Sequence, residues 1–286
     1  MLHLHTIDIL NILNGTKRDM ILKKAASVII AVIFLPKVKE INTPPVDTTG
    51  EVQACIKKLM TAYPGKFIGA TDNAVIWYDN TKMVFDDGTR NKSFKTLLDS
   101  ADLEDQVCAM SYPRDDFSAP KKYNDPGRIR YEPFFRKMYG NTEKEVRANL
   151  IEITWLPKSV NQKIRVSKIN GVADKLKKIS EELDNYPEFT KYLKKPGGTF
   201  IWRTISGTNR LSTHCFGITI DINIDFSNYW QWDNATWKTK GEQIDLTYKN
   251  RIPAKIVEIF EKYGFIWGGK WYHYDTMHFE YRPELL

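Results

Sequence analysis

Apolar residues recur along the chain with two different periods, and each change of period marks out an element. Val172, Leu176, Ile179 and Leu183 return every three or four positions with lysines and glutamates between them, which predicts an amphipathic helix over 171–185. Ile252, Ile256, Ile259/Phe260 and Tyr263 repeat that spacing, with Pro253 in the first turn and Gly264 as the C-terminal cap. A further helix is expected at 51–62. Strict alternation replaces this at 217–224, where Ile218, Ile220, Ile222 and Ile224 interleave with Thr219, Asp221 and Asn223. That pattern predicts a strand with one greasy and one polar face, Asp221 pointing away from the isoleucines. Shorter strand patterns occur at 74–78, 199–205 and about 277–282, and a turn at Asp86-Asp87-Gly88. Thr142 and Glu145 have capping-box spacing ahead of a β-branched and aromatic stretch, 148–156, which Pro157 stops.

One apolar run fits neither period. Residues 25–35 follow Met20, Lys23 and Lys24 and end at Pro36; the run is too short to span a membrane and has the size of a signal-peptide core. Residues 1–40 are therefore read as an export segment whose working start is Met20, with a buried helix or an uncleaved anchor as the alternative. Residues 41–50, containing Pro44-Pro45, read as a linker. Residues 51–141 form an N-terminal elaboration to which its own residues assign no role, and 142–286 carry the candidate chemistry.

Composition narrows the classes. With 286 residues, 42% hydrophobic and 27% charged, the chain is too apolar to be disordered and long enough for a sizeable core. A net charge of +7 permits an anionic partner, but no basic-aromatic run or nucleic-acid motif accompanies it, so nucleic acid is not expected as a partner. Cys55, Cys108 and Cys215 lie far apart, which excludes a cysteine-only zinc knuckle and leaves room for one disulfide at most.

Three of the five histidines, His214, His273 and His278, fall in the last 73 residues beside acidic and aromatic neighbours. Two imidazoles and one carboxylate are the donor set that leaves a zinc ion an open position. His214 where a loop enters the strand, Asp221 farther along it and His278 on a neighbouring strand would supply that set, with Asp275 near enough to act on water. A buried, hydrogen-bonded structural histidine is the plain alternative. His273 reads as an exposed or hydrogen-bonded residue at the site rim, with substrate contact or a ligand role as the alternative, Cys215 as a small buried hydrophobe on the opposite side of a strand from His214, and Glu280 either as a partner that orients a ligand or as a solvated charge. Trp202, Trp267, Trp271 and Tyr274 read as core or rim with one or two in contact with substrate, and Tyr229-Trp230-Gln231-Trp232 as a sugar-binding lip or a packed loop.

The stretch Ser212-Thr-His214-Cys-Phe-Gly217-Ile-Thr-Ile-Asp221, followed by Gly264-Phe-Ile-Trp-Gly-Gly-Lys-Trp271 and Asp275-Thr-Met-His278-Phe-Glu280, resembles the paired signatures of the D-alanyl-D-alanine carboxypeptidase family of zinc peptidases. That family includes the VanX and VanY types and endolysin-like L-Ala-D-Glu peptidases. The resemblance implies an α+β fold, a central antiparallel sheet flanked by helices with the zinc site on the sheet, and a catalytic domain over 142–286. It implies Zn2+ held by His214, Asp221 and His278, Asp275 as the catalytic acid/base, and Arg203 as the residue that polarises the scissile carbonyl or holds a substrate carboxylate. Ser212, Trp271 and Arg210 are the candidate substrate-binding residues. Three departures stand out: Asp275 where many relatives have Glu, Thr219 where Ala is usual, and a shorter spacing from Arg203 to His214. The implied function is an exported peptidase acting on peptidoglycan stem peptides, foremost as a D-Ala-D-Ala carboxypeptidase, with an L-Ala-D-Glu endopeptidase as alternative. A peptidoglycan-binding protein with a dead site is the non-catalytic rival; the presence of all three ligands together with Asp275 argues against it.

Overall fold

Among the described residues the alternating and helical patterns resolve into three antiparallel sheets with helices packed on them, an α+β fold. The computed structural model describes residues 49–241 and 243–286; the export segment and all but the end of the expected linker lie outside the described residues. β1 (Phe67–Thr71), β2 (Ala74–Trp77) and β3 (Lys82–Val84) form a meander, and β4 (Leu150–Trp155) and β5 (Gln162–Ser167) a hairpin. β6 (Pro196–Gly198), β7 (Thr219–Asn223), β8 (Phe265–Trp267) and β9 (His278–Tyr281) make the third sheet, ordered β6-β7-β9-β8, every pairing antiparallel.

The helices fall where periodicity placed them, at Thr49–Ala62, Val172–Leu183 and Ala254–Lys262. The second buries Val172, Leu176, Ile179 and Leu183 against β4, β5 and the third helix. Thr142 accepts the Glu145 amide as predicted, while the Glu145 carboxylate reaches one residue further back, to the Asn141 amide. The isoleucines at 218, 220 and 222 are fully buried, whereas Ile224 is exposed because the strand ends at Asn223 and the chain turns.

One expected strand does not form. At 199–205 only Thr204 bridges to Leu211; the Arg203 carbonyl accepts the Ser212 amide at 3.1 Å and the Cys215 thiol at 3.0 Å, while the Arg203 amide donates to the Cys215 sulfur at 3.1 Å. For the Arg203 amide a thiol from across the loop thus takes the place of a ladder partner. The same sulfur forms no disulfide; Cys55 and Cys108 are bonded, joining Thr49–Ala62 to the helix Leu103–Cys108. A single apolar cluster runs from Val52, Ile56 and Leu59 through Phe134 to Ile220 and Phe279, so residues 51–141 share their core with the third sheet.

Candidate metal centre and active site

His214 lies in one 3-10 turn, Thr213–Phe216, which the Ser212 hydroxyl caps by accepting the His214 amide. Gly217 closes the turn at φ 65°, where an added Cβ would meet Leu150 at 2.5 Å, so only glycine delivers the chain from this turn into β7. Two residues into β7, Asp221 is directly cross-strand from His278, the first residue of β9. This register brings the three donors together: His214 Nε2 is 3.2 Å from Asp221 Oδ2, and His278 Nδ1 is 3.2 Å from Asp221 Oδ1. One donor atom from each lies within 4.8 Å of the others, a spacing and donor chemistry that fit a divalent metal ion.

The charges around this triad favour a cation. Burial alone would raise the Asp221 carboxyl, yet the two histidines hold it well below the usual carboxylate range. Burial would likewise lower His278, but hydrogen bonds and charge from Asp221 and Glu280 push it up to about 10. Glu280 is fully buried; against that burial, His278, Arg130 and Arg282 hold it at about 2. An ionised carboxylate only accepts, so the ring donates from both nitrogens, to Glu280 Oε2 at 3.0 Å from Nε2 and to Asp221 Oδ1 at 3.2 Å from Nδ1; a cation would displace the Nδ1 proton, while Glu280 keeps the other on Nε2 and so fixes Nδ1 as the ligating atom. Glu280 is in turn held by Arg282 Nη1 at 3.1 Å and Arg130 Nη1 at 3.6 Å. Of the two readings of Glu280, the orienting one matches the structure.

Asp275 lies in the same cavity, of about 360 Å3. It is half-buried, and its Oδ1, which is itself buried, has no hydrogen-bond partner among the described residues. Burial raises its pKa to about 7, His278 opposing and Asp221 adding to the rise. A carboxyl that exchanges its proton near neutrality, beside a two-histidine, one-aspartate donor set, is the equipment of a metallopeptidase-like active site.

The other predicted residues divide. Trp271 forms a wall of the cavity, its ring 5.4 Å from that of His278. Ser212 lines the cavity while its hydroxyl caps the His214 turn. Arg203 lines it too, but its side chain is exposed and Nη1 donates at 3.4 Å to the carbonyl of its neighbour Thr204. Arg210 lies instead in an adjoining hollow of about 880 Å3, with Nε 3.5 Å from Asp99. Trp267 is core, donating to the Thr276 carbonyl, and Trp202 packs on the core. Trp230 and Tyr274 are buried together with Ile244, while Tyr229 and Trp232 face the cavity. Cys215 is buried as expected, although in a turn rather than a strand.

Three residues escaped the sequence reading. His273, expected at the rim, is buried; its Nδ1 is 2.6 Å from Asp125 Oδ2 and its amide donates to Asp125 Oδ1 at 2.9 Å. Arg128 and Arg130, two and four residues past Pro126, line the metal cavity although they belong to the 51–141 segment. A charged run broken by Pro126-Gly127 was the only signal.

Residues 206–281 match the family described as D-alanyl-D-alanine carboxypeptidase, and this part of the chain is similar to that family. The matched stretch contains His214, Asp221, Asp275 and His278 and leaves out Arg128, Arg130 and Arg203. No curated protein and no solved structure matches the chain.

Proposed function

We propose that the protein is an exported zinc peptidase that hydrolyses peptidoglycan stem peptides next to a D-amino acid, as a D-Ala-D-Ala carboxypeptidase. The observation that carries this reading is the buried, partner-free Asp275 Oδ1 in one cavity with His214, Asp221 and His278. Zinc, when bound by those three, supplies Lewis acidity, lowering the pKa of a ligated water and polarising an amide carbonyl. The chain does the rest. Asp275 takes the proton of the attacking water at its free oxygen and returns it to the leaving amine, a transfer suited to its near-neutral pKa. Glu280 keeps His278 in the ligating tautomer, and Trp271 and Trp230 wall the cavity against bulk water.

Two further observations support the setting. The Cys55–Cys108 disulfide suits an oxidising compartment outside the cytoplasm. Among the described residues no helix is long and apolar enough to cross a membrane. The L-Ala-D-Glu endopeptidase reading has one observation in its favour: the hollow of about 880 Å3 shares Ser206, Trp230 and Gln231 with the metal cavity and gives room for substrate beyond the cleaved bond.

Incubation of the zinc-loaded protein with purified muropeptides, followed by mass spectrometry, tests the proposal. Release of free D-alanine from pentapeptide stems is expected. Cleavage between the first and second stem residues would replace the carboxypeptidase with the endopeptidase, and intact muropeptides would end the peptidase reading.

A further inference from the structure

We infer that Arg128, contributed by the segment outside the family-matching stretch, is the residue that binds the substrate's free carboxylate. The inference rests on the stem-peptide reading above and assigns part of its specificity. Three arginines line the metal cavity, and they are not equivalent. Arg130 is 3.6 Å from Glu280 and so serves the carboxylate that orients His278. Arg203 is exposed, and its side-chain contact is to the carbonyl next to it. Arg128 alone combines access to the cavity with a fixed position: its side chain is 13% exposed, 3.7 Å from Asp125 on one side and 6.0 Å from the Trp230 ring on the other.

Its backbone is equally constrained. Gly127 packs so closely on Trp271 and Ile266 that a Cβ there would overlap both side chains. The Gly127 and Ile129 carbonyls accept from the buried Arg282, the Tyr272 amide donates to Asn124, and the His273 amide and ring both bind Asp125. Residues 124–130 are thus bolted to the strand and loop that carry Asp275 and His278, on both sides of Arg128. A guanidinium held in this way loses little freedom when it binds, and its planar fork of five N–H donors matches a carboxylate while keeping a partner on another edge. The terminal carboxylate of a stem peptide is the ligand of that shape and charge.

The test is equilibrium binding, read from tryptophan fluorescence, of diacetyl-Lys-D-Ala-D-Ala and its C-terminal amide to zinc-loaded Asp275→Asn protein, which keeps the cavity without turnover. The acid is expected to bind about 10- to 100-fold more tightly than the amide, the range of a charge-assisted hydrogen-bonded pair. Adding Arg128→Gln should abolish that preference and Arg128→Lys should restore part of it, while Arg203→Gln should retain most of it. Circular dichroism and zinc content establish that each variant is folded. If Arg128→Ala does not fold, the Lys and Gln variants still decide the matter. A preference that survives Arg128→Gln, or vanishes only in Arg203→Gln, overturns the assignment and leaves the peptidase reading standing. Failure of the protein to bind either peptide overturns the stem-peptide reading and this assignment with it.

Discussion

Among the described residues three groups of side chains lie close enough to hold a metal ion; two share Asp102 and make one acidic cluster with a lysine at its centre, and the third, His214, Asp221 and His278, has no lysine or arginine against its aspartate. In the N-terminal segment, Lys92 Nζ stands 3.0 Å from Asp87, 3.1 Å from Asp102 and 2.5 Å from Asp105, with its side chain 3% exposed, and Arg90 closes on Asp86 at 2.5 Å. The ammonium bridges three carboxylates, and the cluster is an ion-paired structural clamp. In the third sheet, Asp221 faces two imidazoles; the guanidinium groups of Arg130 and Arg282 sit one layer out, on Glu280. Proximity of carboxylates therefore does not identify a site. What distinguishes the two is the donor set: carboxylates around a lysine in one, two imidazoles and one carboxylate, the donors of a zinc site, in the other.

The comparison breaks first at Asp275. Asp275→Asn keeps volume and metal but cannot carry a proton, so turnover of a pentapeptide stem should fall by about 10²–10⁴ with zinc content and unfolding midpoint unchanged. Next comes the clamp: Lys92→Met leaves buried carboxylates without their partner and should cost about 3–5 kcal/mol in denaturant unfolding, with no change in zinc content. Smaller is Glu280→Gln, which weakens the hold on the His278 tautomer and should raise the zinc dissociation constant about 10- to 100-fold in a chelator competition. The smallest effect is a pH limb. Burial pulls the Lys92 pKa down, but hydrogen bonds to Asp105, Asp87 and Asp102 hold it above its ordinary 10.5. The folded state thus binds this proton more tightly than the unfolded one; the contribution is complete below about pH 10.5 and is lost as pH rises through the folded value. Wild-type stability should decline in that range more steeply than that of Lys92→Met.

The sequence carried the parts of this picture that depend on local spacing. Helical periodicity placed Val172–Leu183 and Ala254–Lys262, and alternation placed Asp221 on a strand with its isoleucines buried, because packing against one face imposes those periods. The paired signatures named all of His214, Asp221, Asp275 and His278. The failures have a common cause in contacts between distant residues. Residues 199–205 have a strand's composition, but the Arg203 amide donates to the Cys215 sulfur instead of a neighbouring strand. His273 could be read as exposed or as hydrogen-bonded, and the sequence did not decide between them because Asp125, its partner, lies 148 positions away. Arg128 and Arg130 enter the cavity only because Arg282 and His273 bind the loop that bears them, which no pattern within 51–141 reveals.

Metal analysis of the purified protein after equilibration with zinc and removal of excess tests the central claim most directly. The account predicts one zinc per chain in the wild type, none in His278→Ala, and one in Asp102→Asn, whose cluster already holds Lys92. Equal zinc in the wild type and His278→Ala, or zinc lost with Asp102 instead, would contradict it.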